Sequence, residues 1–179
     1  MATVEQAEKL ITAEEFARRP NSGFFEELVR GRVVMSPSPG SRHGAVCYMF
    51  GWLLGNYVVP RGTGRILSND SGIITARRPD SVRGADIAYY SHARMPDGQA
   101  PVGYNPSPPD LVCEVLSPSD RWANALEKTA EYLKAGVLVV LILDPDEQTA
   151  HVFRPHEKPI ELNAEDVLRF ESVLPGFEV

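Results

Sequence analysis

The chain is 179 residues long, 43% hydrophobic and 23% charged, with a formal net charge of −6. That length supports one domain over 1–179 with a sizeable core, and the acidic balance argues against a protein whose sole task is to coat nucleic acid, which selects a basic surface. No apolar run reaches the ~18 residues of a membrane span, and the polar start MATVEQAEKL lacks the apolar stretch of a secretory leader, so the cytoplasm is the expected location.

In chain order, ITAEEF at 11–16 reads as a helix start. Thr12 is the N-cap, Glu15 the return partner of a capping box, and Ile11 and Phe16 occupy the staple positions. PNSG at 20–23 ends this helix. Residues 25–29 and 32–35 form a hairpin turned at Arg30 and Gly31, followed by a loop, SPSPG. Residues 43–59 carry the strongest helical pattern: Val46, Phe50, Leu53 and Tyr57 recur at i, i+4, i+7 and i+11, with Cys47, Leu54 and Val58 widening the stripe.

Strands are expected at 65–69, 72–77 and 85–90, a loop at 91–109, a strand at 111–116, a helix at 121–135 and a strand at 137–144. Residues 149–154 pair back after a DPD turn, and the last twenty residues suggest one or two short edge strands. The strand–helix–strand unit needs a crossover, hence a parallel pair. The fold class is therefore α/β or α+β, a mixed central β-sheet flanked by helices. Cys47 and Cys113 sit in apolar surroundings and read as buried free thiols, neither with a Cys or His at metal-ligand spacing.

Two carboxylates are out of place. In LVCEVL, 111–116, Leu111, Cys113 and Val115 share one face and Val112, Glu114 and Leu116 the other. Both faces are apolar, as in a strand covered on both sides. Glu114 is then a charge in a covered layer, which costs several kcal/mol unless partnered. ADIAYY, 85–90, repeats the anomaly, with Asp86 on the face of Ala88 and Tyr90. Two such acids could share a divalent cation, for which hard oxygens favour Mg2+ or Mn2+. Alternatively, each pairs with an arginine or lies at the wet end of its strand. Lys128 falls near the boundary of a helix face drawn by Trp122, Leu126, Thr129 and Leu133, from which its ammonium can reach the strand end or remain solvated beside Glu127 or Glu131. Glu26 and Glu27 face opposite ways, so at least one points inward if the sheet is covered on both faces.

Taken together, ITAEEF, EELVRGRVVMSPSPGSRH, GADIAYY, PDLVCEVLSPS, EKTAEYLKAGV with LILDP, and the closing LPGFEV resemble, in this order and spacing, the Uma-type family named as restriction endonucleases. That family is a bacterial branch of the PD-(D/E)XK nuclease-like fold. The resemblance implies a restriction-endonuclease-like sheet and Mg2+- or Mn2+-dependent hydrolysis of DNA. It implies that Asp86, Glu114 and the backbone carbonyl of Val115 hold the metal. Lys128 stands for the lysine usually found two residues after the acid, where this chain has Leu116. Glu27 would hold a second metal or its water, and His43 matches a histidine at the start of the long helix. Ala85 replaces the motif proline, and Asn124 replaces an aspartate one turn before the lysine.

Arg42, Arg61, Arg65, Arg77, Arg78 and Arg83 are candidates for phosphate contacts; cutting both strands suggests a homodimer, and a nicking monomer would serve as well. The rival reading is a catalytically inactive nuclease fold that binds metal or a partner. Other hydrolase signatures (Gly-x-Ser-x-Gly, His-Glu-x-x-His, Walker A) are missing from the sequence.

Overall fold

Thr12 opens α1 (Ala13–Ala17) with the anticipated capping box: its hydroxyl accepts from the Glu15 N–H at 3.1 Å, and the Glu15 carboxylate accepts from the Thr12 N–H at 2.8 Å. The structure, a computed structural model, describes residues 9–20, 22–96 and 99–179. The start 1–8, Asn21 of the PNSG stop and loop residues 97–98 lie outside it. The hairpin of β1 (Phe25–Val29) and β2 (Arg32–Ser36) turns at Arg30 and Gly31, with φ of 50° and 79°. Two consecutive left-handed residues match the right-handed twist of the flanking strands.

Helix α2 (Ser41–Arg61) carries Pro60 in its last turn and stops at Gly62, φ 59°, whose N–H returns to the Val58 and Val59 carbonyls. Its buried line is Phe50, Leu54 and Val58, and Tyr48, Met49 and Trp52 stay exposed. The two strands expected at 65–69 and 72–77 are one, β3 (Gly64–Ala76), paired antiparallel with β4 (Ser81–Ser91). What the sequence suggests is a break is a bulge. The register steps by three on β3 and two on β4, from Ser68↔Ile87 to Ser71↔Ala85, across Asn69 (φ 64°) and Asp70 (φ 54°). Asn and Asp tolerate that conformation better than most side chains.

The sheet runs β2-β1-β4-β5-β6-β7-β8, with β3 also on β4. β5 (Leu111–Val115) is antiparallel to β4 and parallel to β6 (Val139–Asp144). The crossover between these parallel strands is α3 (Trp122–Ala135). β7 (Thr149–Phe153) and β8 (Ile160–Leu162) extend the edge in antiparallel fashion. Helix α2 covers one face, packing Phe50, Leu54 and Val58 on Ile87, Leu111, Cys113 and Leu141. Helix α3 covers the other, packing Tyr132 on Ala85, Ala88, Val112 and Val140. The mixed α+β class is as expected.

The C-terminal strands are only partly edge strands. β9 (Arg169–Phe170) and β10 (Leu174–Glu178) form a separate ribbon, whose Phe170 and Phe177 pack on Phe50 and Tyr57 of α2. Among the described residues, no helix is long and apolar enough to cross a membrane.

Two features place the site. First, β4 has three partners but only two edges. β3 runs along one edge. β1, at Leu28↔Val82, and β5, from Ile87↔Cys113 to Tyr89↔Leu111, share the other. Between them the ladder forks, leaving Arg83 to Asp86 facing a gap on that edge.

Second, α3 is rotated from its expected orientation. Trp122 and Leu126 are 37% and 44% exposed, whereas Thr129 and Tyr132 are buried and Lys128 turns inward. Apolar periodicity alone puts Leu126 inside. The polar partners of Lys128 and Tyr132 at the fork win over it.

Candidate active site at the strand fork

The fork gathers side chains from β1, β3, β4, β5, α2 and α3. From β1, the Glu27 carboxylate accepts the Gly84 N–H at 2.9 Å, closing part of the gap in the ladder. Its other oxygen accepts from Arg83 at 2.9 Å. From β5, Glu114 extends on the face of Val112, as alternation predicts, and meets α3. Lys128 Nζ donates to Glu114 Oε2 at 2.9 Å and lies 3.2 Å from Glu27 Oε1, while the Tyr132 hydroxyl donates to Glu114 Oε1 at 2.8 Å. Lys128 and Tyr132 are four apart on α3, so one helix face presents both to the same carboxylate.

Asp86 departs from its expected face. Ala85, Ala88 and Tyr90 pack on the α3 side and Ile87 and Tyr89 on the α2 side, so alternation breaks at Asp86, opposite the β3 bulge. Its carboxylate reaches His43 Nε2 on α2 at 3.2 Å and accepts the Val115 N–H at 2.7 Å. The two misplaced acids are therefore tied to helices on opposite faces of the sheet. Their immediate partners are protein groups, and a lysine rather than an arginine holds Glu114.

The electrostatics follow from burial. Glu114 is pushed up to about 7, first by loss of water and then by the Asp86 carboxylate, against the pull of Lys128. Lys128 also loses water, which favours its neutral form, but the Glu114 and Glu27 charges outweigh that and hold it protonated. His43 is pushed up to about 10 by its bonds to Asp86 and then Cys47. Asp70, in the bulge, is raised by desolvation and then by the Asp86 carboxylate. Around the fork, Glu27, Asp70, Asp86, Glu114 and Glu131 face His43, Arg83 and Lys128, a surplus of two acids. A hard, oxygen-rich donor set with that surplus suits a divalent cation. The Asp86 charge acts on both Glu114 and Asp70, which makes these three carboxylates the candidates to hold one.

Several readings of the sequence change here. Arg83, one of the candidate phosphate contacts, is engaged within the protein: it forks onto Glu131 at 2.7 and 2.8 Å and onto Glu27. Arg77 binds Glu14 and Asp80, Arg42 binds Asp146, and Arg61 lies over the Tyr57 ring. Glu131 and Glu127, alternative partners for Lys128, pair with Arg83 and Arg30 instead. Cys113 is fully buried, but Cys47 is only half-buried and does have a histidine at ligand spacing: its Sγ lies 3.5 Å from His43 Nδ1, one helical turn away.

Tyr132, Asp70 and Cys47 are the groups that sequence reasoning passes over. The i, i+4 spacings from Lys128 and His43 were visible signals for two of them. The adjacent Asn69–Asp70 was the signal for the third. A groove of about 470 Å³ borders the Asp86 side of the fork, lined by His43, Cys47, Asp70 and Asp86 with exposed Tyr48 and Trp52, and Glu27, Glu114 and Lys128 are not in its lining.

Residues 13–179 match a family model, Uma2, whose description is "Putative restriction endonuclease". A crystal structure described as "a putative nuclease belonging to DUF820 from Anabaena variabilis ATCC 29413" is similar with a TM-score of 0.81, over 94% of this chain and 94% of that one, at 22% identity. At that identity the likeness carries the fold. No curated protein matches the chain.

Proposed function

The chain belongs to the Uma2 family, and from that premise we propose that it is a metal-dependent endonuclease, one domain over 1–179, hydrolysing DNA phosphodiester bonds. The observation that carries this reading is the Lys128 ammonium, held 2.9 Å from Glu114 and 3.2 Å from Glu27 at the mouth of the strand fork.

Asp86, Glu114 and the Val115 carbonyl would hold Mg2+ or Mn2+. When bound, such a cation supplies charge neutralisation at the phosphate and acidifies its water. Lys128 offsets negative charge developing on the phosphate, a stabilisation that strengthens in a partly dry site. Glu27 keeps Lys128 protonated and aimed. Tyr132 fixes the rotamer of Glu114, and His43 and the Val115 N–H fix that of Asp86.

The test is nicking of supercoiled plasmid in Mg2+ and in Mn2+ by wild type, Glu114→Ala and Lys128→Ala, with circular dichroism to confirm folding. We expect cleavage by the wild type and a loss of at least ~10²-fold in each variant. Wild-type rates from folded Glu114→Ala would sink the assignment. The second reading, an inactive nuclease fold serving as a binding module, is favoured by the internal pairing of Arg42, Arg77 and Arg83, which leaves fewer cations for a phosphate backbone. It predicts no cleavage by the wild type in either metal.

A further inference from the structure

We infer that His43, Cys47 and Asp86 form a second cation site, selective for a thiolate-accepting divalent metal of the zinc class and sharing Asp86 with the hard-cation site proposed above. One ligand atom from each of the three residues lies within 4.8 Å of the other two. His43 Nε2 is 3.2 Å from the Asp86 carboxylate, and Cys47 Sγ is 3.9 Å from Nε2. A tetrahedral zinc ion, with bonds of about 2.0–2.3 Å, spaces its ligand atoms about 3.3–3.6 Å apart. The two distances to His43 Nε2 lie within a few tenths of an ångström of that spacing, and Cys47 and Asp86, at no more than 4.8 Å, need to close by about 1 Å or less.

The scaffold is suited to holding it. His43 and Cys47 sit one turn apart on α2, a 21-residue helix, and Asp86 is on the central strand. All three line the groove, which leaves a further coordination position open to water or to Asp70 across the bulge. A nitrogen, a sulfur and one carboxylate oxygen make a poor Mg2+ site and a good zinc-class site, because thiolate selects softer ions. Cys47 has no place in the hydrolysis proposed above, so its position against His43 is otherwise unused.

The sharing of Asp86 rests on the nuclease reading; the cation site itself does not. Where both hold, occupancy of the second site withdraws Asp86 from Mg2+ and switches cleavage off.

The experiment is a Co2+ titration of the full chain, Co2+ standing in for Zn2+ and the thiolate-to-metal charge-transfer absorption serving as the readout. We expect a band saturating at one equivalent, displaced by Zn2+, abolished in Cys47→Ser and in His43→Gln, and retained in Glu114→Gln. No band, or a band that survives Cys47→Ser, overturns the site. Repeating the titration in excess Mg2+ tests the sharing. We expect the apparent Co2+ affinity to fall at least tenfold in wild type and to be unaffected in Glu114→Gln. No fall in a protein that cleaves plasmid overturns the sharing. No fall in a protein that does not cleave counts against the nuclease reading and leaves the charge-transfer result to decide the site.

Discussion

Glu114 holds its proton to about pH 7 because it is buried beside Asp86 and only partly compensated by Lys128. The folded state therefore binds more protons than the unfolded chain between the ordinary glutamate value of 4.5 and about 7. By linkage, this contribution to stability is full below pH 4.5 and is lost as pH rises through about 7. Denaturant melts across that window should show a downward slope that flattens in Glu114→Gln. Cleavage should run the other way. If the carboxylate form holds the cation, plasmid cleavage rises about tenfold per pH unit below about 7 and levels above it. A flat profile would separate Glu114 from the rate. The sequence displays Glu114 because an acid inside an apolar strand contradicts its surroundings. It hides Tyr132, since a tyrosine on a helix contradicts nothing. It misplaces Asp86 because alternation presumes a regular ladder, and the opposing bulge breaks it.

Secondary-structure elements here are fastened by ion pairs as well as by apolar contact. Arg83 of β4 clamps β1 through Glu27 and α3 through Glu131, with all three side chains largely buried. Arg83→Leu leaves Glu131 with the Thr75 hydroxyl and Glu27 with Lys128 and the Gly84 amide, so it should cost ~3 kcal/mol in a urea melt, and adding Glu131→Leu should restore part of that. The short helix α1 depends on Asp80, whose carboxylate accepts the Ala13 and Arg78 N–H groups and pairs with Arg77. Burial pushes Asp80 up, but these donors win and hold it below the usual range. Its stabilisation is therefore present above the ordinary aspartate value and lost as pH falls through the folded one. Asp80→Ala should cost ~1–3 kcal/mol near neutrality and progressively less as pH falls below the ordinary aspartate value of 3.8, read by the same melts. The capping box of α1 was legible residue by residue because it is local. The role of Arg83 was not, because its partners lie 48 and 56 residues away and nothing in its neighbourhood distinguishes it from a surface arginine.

For the whole molecule, the decisive fact is that β1 and β5 divide one edge of β4. Hydrophobic alternation identifies strands; it carries no information on which of them compete for an edge. The layers and the crossover could be read from the chain, but the fork and the long β3 could not. At the fork, backbone groups that a neighbouring strand would ordinarily satisfy are met by side chains. The Gly84 amide bonds the Glu27 carboxylate, and the Val115 amide bonds that of Asp86. These two amides are consequently natural probes by hydrogen exchange. Their protection depends on a carboxylate staying in place, whereas that of Ala88, flanked by β3 and β5, depends on the sheet. Glu27→Ala should speed deuterium uptake at Gly84 at least tenfold and leave Ala88 unchanged; equal acceleration at both would mean the sheet itself had loosened. In the unaltered protein, any ligand that draws Asp86 away from Val115 should announce itself at that one amide, with no turnover required.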